Sequence, residues 1–180
     1  MPEFADFETS EGGSRQPRAM PISVRRATVA DVERCAVLTR RHAGDGAGVV
    51  DFEALVRGWL RQSTGCFLVA IGADHGVVGY GRVVRLDAAT APTGYYLAGV
   101  VVDPDARRLG VGTSLTQSRL DWIEAHAPEA RYFCNARNRV SIALHARMGF
   151  HEETRDFEIP GVTFEGGAGI LFRKVLRDRA

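Results

Sequence analysis

One stretch constrains this chain more than any other: Val100-Val101-Val102-Asp103-Pro104-Asp105-Ala106-Arg107-Arg108-Leu109-Gly110-Val111-Gly112-Thr113. A β-branched run is stopped by Asp-Pro, turns through two arginines and two glycines, and opens a helix. The first turn of such a helix carries unpaired N–H groups and about half a unit of positive charge. Gly110 and Gly112 have no Cβ, so an anion can approach the backbone closely. Arg107 and Arg108 add positive charge, and Thr113 adds a hydroxyl. The stretch therefore reads as a phosphate site at a strand-to-helix turn. A Walker loop needs Gly-Lys-Ser/Thr, whereas Thr113 follows Gly112 directly. A dinucleotide fingerprint needs a small residue where Leu115 stands.

The surrounding chain has the texture of a mixed α/β domain. Ile22–Arg26 reads as a strand, and Thr28 with Asp31 as the start of a helix striped by Val32, Cys35 and Leu38. Gly44–Gly48 breaks that pattern, and Asp51–Gln62 reads as a second helix with Phe52, Leu55 and Trp59 on one face. Cys66–Gly72 and Val77–Leu86 form a hairpin about Asp74-His75-Gly76. Tyr95–Val102 is a strand, and Gly112–Ala127 a helix stopped by Pro128. Arg131–Asn135 is a strand, and Val140–Met148 a helix closed by Gly149. Glu152–Ile159 and Gly169–Leu176 are the last strands, around the loop Gly161–Gly167.

With 180 residues there is room for one domain, expected over 21–180, and residues 1–20 read as a disordered N-terminal tail. A net charge of +1 argues against a nucleic-acid partner or an anionic membrane surface. No apolar run approaches the ~18 residues of a membrane helix. Cys35, Cys66 and Cys134 are odd in number and form no CxxC, so reduced structural thiols in the cytoplasm are expected. The five histidines offer no zinc spacing, so no metal is expected.

Arg107-x-x-Gly110-x-Gly112 after Val102-x-Pro104 resembles motif A of the GCN5-related N-acetyltransferase (GNAT) superfamily, written Gln/Arg-x-x-Gly-x-Gly/Ala. Asn138-x-x-Ser141-x-x-Leu144-His145-x-x-x-Gly149-Phe150 resembles that family's Asn-x-x-Ala/Ser-x-x-Leu-Tyr-x-x-x-Gly-Phe segment. The likeness spans about residues 22–176. It implies an α/β (α+β) GNAT fold: a central mixed, mostly antiparallel, twisted sheet flanked by helices, with a splayed strand pair holding acetyl-CoA. It implies that the backbone of Val100, Val101 and Val102 pairs with the pantetheine arm. It implies that the amides of Arg107, Arg108, Leu109, Gly110, Val111 and Gly112, with Thr113, hold the pyrophosphate. Asn138 is implied to bond CoA, beside its ordinary use as a helix N-cap. A homodimer is compatible with the fold.

The implied reaction is direct acetyl transfer from acetyl-CoA to a primary amine. A base is needed to free the amine, and an acid to protonate the leaving thiolate. His145 occupies the place where the family often carries an acid tyrosine; it can donate a proton or simply fill the site. Phe133 occupies the place of a glutamate found in ribosomal-protein acetyltransferases, which favours a small-molecule acceptor over a peptide one. Asp87, Tyr95, Tyr96 and Glu158 are the remaining candidate bases. The first two helices and the segment Phe157–Phe164 should read the acceptor, with Asp45, Asp51, Glu53, Glu158 and Glu165 attracting a cationic amine and Trp59, Tyr95, Tyr96 and Phe157 forming an apolar wall. The rival readings are a non-catalytic acetyl-CoA-binding module and a nucleotide-binding protein.

Overall fold

The computed structural model describes residues 21–44 and 50–177. The tail expected over 1–20 lies outside the described residues, as does the break over 44–48 except for Gly44, which ends the first helix with φ +69°. Seven strands and four helices follow one another among the described residues. They are β1 (Ser23–Arg26), α1 (Val32–Ala43), α2 (Phe52–Leu60), β2 (Gly65–Ile71), β3 (Val77–Ala88), β4 (Ala91–Val102), α3 (Val111–Glu124), β5 (Glu129–Asn135), α4 (Arg139–Arg147), β6 (His151–Thr154) and β7 (Gly169–Val175). The sheet order is β1-β2-β3-β4-β5-β7-β6. Every neighbouring pair is antiparallel except β4 and β5, which run parallel with α3 as their crossover. This is the mixed, mostly antiparallel sheet expected.

Alternation along the strands gives the sheet two apolar faces. On one face α3 and α4 pack, and Val83, Leu97, Tyr132 and Phe172 meet Val111, Leu115 and Ile123. On the other, α1 and α2 cover Phe67, Val69, Tyr80 and Val101. Further along that second face the chain between β6 and β7 covers Tyr96 and Leu171 with Ile159, Phe157 and Val162. Two glycines of β3 let α3 lie close. A Cβ on Gly79 would stand 2.8 Å from the Val101 carbonyl oxygen and 3.0 Å from Val111 Cγ1, and one on Gly81 would stand 3.0 Å from Arg119 Nε.

Arg119 is 1% exposed, and its guanidinium is satisfied by carbonyls and a hydroxyl rather than by a carboxylate. It donates to Leu115 O (3.1 Å), Arg82 O (3.4 Å) and Thr116 Oγ1 (3.0 Å). Burial pulls its pKa down to about 9. Two strand boundaries and one core position depart from the sequence reading. The β3–β4 hairpin runs on to Ala88 and Ala91, because cross-strand pairing carries extended backbone past the polar residues Arg85 and Asp87. The strand expected over 152–159 ends at Thr154, and the rest is loop. Leu55 is exposed, and Val56 takes its place beside Phe52 in the core.

Candidate active site

The site begins where β4 and β5 part. Their ladder closes at a single register point, Tyr96 opposite Arg131. Both strands then continue, β4 to Val102 and β5 to Asn135, with no further pairing among the described residues. The cause lies partly in Gly99, which adopts φ +55° exactly where the β3–β4 register slips: Gly81 pairs with Val100 but Arg82 pairs with Ala98. An extra residue in the left-handed region is a bulge that bends its strand. Sequence reasoning missed this bulge, although a glycine inside a strand pattern is its usual signal.

The parted strand ends feed two helix N-termini. After β4, Asp103 caps a short 3-10 turn and is buried. It pairs with Arg34 and, at 3.4 Å, with Arg41, so α1 anchors the turn. Neither arginine was singled out from the sequence, because the pairing spans more than sixty residues. Arg108 (φ +61°) and Gly110 (φ +90°) then turn the chain into α3. Gly110 is the N-cap residue and supplies no side-chain cap. The first helical bond runs from Ser114 N to Gly110 O, so the amides of Val111, Gly112 and Thr113 precede it. Arg107, Arg108 and Thr113 are exposed around them. Beside Thr113 an open cleft of about 590 Å³ separates α3 from α4, lined also by Gln117, Leu144, Arg147 and Lys174. Uncapped amides, a close-approach glycine and flanking cations are a donor set that fits a pyrophosphate. The motif A residues Val100, Val101, Val102, Arg107, Arg108, Leu109, Gly110, Val111, Gly112 and Thr113 thus lie along one path from the parted edge to the helix.

After β5, Asn138 caps α4, its Oδ1 accepting from Ser141 N at 3.0 Å. The cap half of its expected double role is thus explicit. His145, two helical turns on from Asn138, is 5% exposed. Its ring stacks on Tyr132 (3.7 Å between centroids) and meets Phe150 edge-on. Its Nδ1 hydrogen is donated to the Ser141 carbonyl at 2.8 Å. Burial lowers its pKa to about 4. The ring is neutral at pH 7, and its one proton is already donated. The general-acid expectation for His145 thus meets a ring enclosed by Tyr132, Phe150 and the Ser141 carbonyl.

Tyr96 is enclosed as well. It is 0% exposed, its hydroxyl donates to Pro92 O at 2.6 Å, and burial pushes its pKa up to about 12. Tyr95 faces the other way, edge-on to Trp122. Asp87 accepts from Thr93 at the hairpin end, and Glu158 is exposed. Asp45 lies outside the described residues. Cys134 is buried, with its thiol pushed up to about 11, as befits a structural thiol. Phe133 faces Tyr96, Phe157 and Phe164 in an aromatic patch on the face opposite α3. Gly169 makes room for that patch: a Cβ there would stand 2.4 Å from Phe164 Cε2.

Among the described residues the open mixed sheet has one parallel pair, β4 and β5, and it parts beside the N-terminus of α3. The sequence profile of the acetyltransferase (GNAT) family matches residues 35–150, and the chain belongs to that family. An uncharacterised protein of Mycobacterium leprae (strain TN) is 35% identical over 130 residues, 72% of this chain but 34% of its own length, so the chain spans about a third of that relative. Among solved structures, a GCN5-related N-acetyltransferase from Kribbella flavida is similar with a TM-score of 0.68 at 22% identity, covering 86% of this chain and 98% of that one. A phosphinothricin acetyltransferase from Sinorhizobium meliloti, solved with acetyl-CoA, gives 0.67 at 18% identity, covering 87% and 89%. The ribosomal-protein-S18-alanine N-acetyltransferase of Escherichia coli gives 0.66 at 18% identity, covering 89% and 97%. At these identities the three share the fold.

Proposed function

We propose that the chain is an N-acetyltransferase that moves the acetyl group of acetyl-CoA directly to a primary amine, with a small molecule as acceptor. The observation that carries this reading is the parting of β4 from β5 immediately before the uncapped N-terminus of α3. Bound acetyl-CoA supplies a thioester whose acyl carbon an amine can attack. The free edge of Val100–Val102 orients the extended pantetheine as a third strand would. The amides of Val111, Gly112 and Thr113, with Arg107 and Arg108, hold the pyrophosphate. Arg147 and Lys174, in the cleft beside Thr113, add positive charge for the remaining phosphate.

The amine approaches from the opposite face, over Phe133, Phe157 and Phe164, and loses its proton to water. The coenzyme leaves as thiolate, whose thiol has an ordinary pKa of ~8.5, so no strong acid is needed. Phe133 in the glutamate position supports a small acceptor over a peptide. Three buried free thiols fit a cytoplasmic setting, and among the described residues no helix is long and apolar enough to cross a membrane.

Thermal unfolding with acetyl-CoA, CoA, ATP or NAD tests the donor. A ligand at a hundredfold excess over Kd stabilises by ~2.7 kcal/mol, which raises Tm by roughly 5–10 °C in a domain of this size. A rise with both CoA species but not with ATP or NAD is expected. No rise with either CoA species refutes the reading.

A further inference from the structure

Several arginines of the sheet and its flanks are paired with carboxylates, and the buried Arg119 is satisfied by carbonyls and a hydroxyl. Arg25 holds Asp31, Arg34 holds Asp103, Arg131 holds Glu153 and Glu129, and Arg173 holds Glu129. Arg82 breaks that pattern. It sits mid-strand in β3, largely covered, with no carboxylate partner among the described residues. Its Nε is buried without a hydrogen-bond partner. Its guanidinium carbon lies 4.1 Å from the ring centroid of Trp59 on α2. Cation–π contact compensates part of the lost hydration but leaves the in-plane N–H groups unused. A buried donor with no acceptor is costly, and native structures keep such groups for a reason.

Its place in the fold supplies the reason. Arg82 pairs across the sheet with Ala98, two residues past Tyr96, the last point at which β4 meets β5. Paired residues share a face, and this face is the one that carries Trp59 on one side and Phe133, Phe157 and Phe164 on the other. The guanidinium therefore stands on the acceptor face, one strand from the parted edge. Strands are spaced ~4.8 Å apart, so a molecule with its amine at the parting needs only a few bonds to reach Arg82. Helix α2 holds the guanidinium plane through Trp59, and a planar, pre-oriented fork matches a carboxylate in bidentate fashion.

We propose that Arg82, oriented by Trp59, is the specificity residue for the acceptor and binds a carboxylate, so that the substrate class is amines bearing a carboxylate a few bonds away: amino acids rather than simple amines. This rests on the acetyltransferase reading above.

The test uses the full chain, with acetyl-CoA affinity measured by calorimetry alongside acetyl transfer followed as CoA thiol release. The probes are the standard α-amino acids, β-alanine and γ-aminobutyrate, each with its carboxamide and the amine lacking the carboxyl group. At least one carboxylate-bearing amine should exceed its carboxamide by about tenfold or more in kcat/KM, mostly through KM. Arg82→Gln should erase that ratio, and Arg82→Lys, which keeps the charge but not the fork, should restore only part of it; both should bind acetyl-CoA as the parent does. Lys serves as the second variant should Gln unfold the protein. Equal rates for acids and amides, a preference that survives Arg82→Gln, or normal acetyl-CoA binding with no amino acid acetylated would each overturn the proposal while leaving the donor site standing. Failure to bind acetyl-CoA at all would overturn the acetyltransferase reading itself, and this proposal with it.

Discussion

Gly112→Asp separates what the α3 N-terminus does for the fold from what it does for the donor. Gly112 is the second residue of α3, and a Cβ there meets only Leu144 Cδ2, at 3.8 Å, an ordinary contact. The fold therefore accepts a side chain. Aspartate is a slightly better helix residue than glycine by a few tenths of a kcal/mol. A carboxylate in the first turn adds about 0.3–1 kcal/mol through the helix dipole. The unliganded protein should thus gain roughly 0.5–1 kcal/mol, a Tm rise of about 1–4 °C. Binding should move the other way. A carboxylate ~5 Å from a phosphate charge repels it by about 3 kcal/mol at an effective dielectric of about 20. That weakens acetyl-CoA binding by about a hundredfold or more. Calorimetric titration and a thermal melt on the same sample measure both. A folded Gly112→Asp protein that binds acetyl-CoA with the parental Kd would refute the placement of the pyrophosphate on this turn.

Gly110→Ala should instead cost about 1–2 kcal/mol in urea unfolding, because φ +90° is a conformation that an alanine adopts only under strain. Gly169→Ala should raise KM for the acceptor with acetyl-CoA affinity unchanged, because its Cβ would displace Phe164 from the aromatic patch, as steady-state kinetics with each substrate varied will show. His145, with a folded pKa lowered to about 4, binds fewer protons folded than unfolded, so its contribution is full above about pH 6.5 and is lost as pH falls toward 4. That loss is about 3 kcal/mol, and urea melts at pH 7, 5.5 and 4.5 should show a shallower decline for His145→Phe. Turnover of the parent should rise with pH along the ionisation of the acceptor amine itself, with no inflection belonging to His145.

The sequence by itself determined most of the elements and pointed to the strand-to-helix turn as the proposed donor site. Asp-Pro, two glycines and a polar turn between a β-branched run and a helix are local signals, and each acts through the backbone of its own neighbourhood. Period and capping likewise placed α1, α3 and α4 within a few residues, and Phe133 was seen to stand where a glutamate would. The tertiary structure decided the rest. Whether His145 can give up a proton depends on Tyr132, Phe150 and the Ser141 carbonyl closing around it, and no spacing along the chain records that burial. The bulge at Gly99 has a sequence trace, but its effect exists only against the register of β3. Arg82 looks in the sequence like one more charge in an alternating strand. Its standing as a covered cation without a carboxylate arises only when α2 lays Trp59 across it and the sheet brings it beside the parted strands. Local chemistry is written in neighbouring residues; desolvation and pairing belong to residues that folding alone makes neighbours.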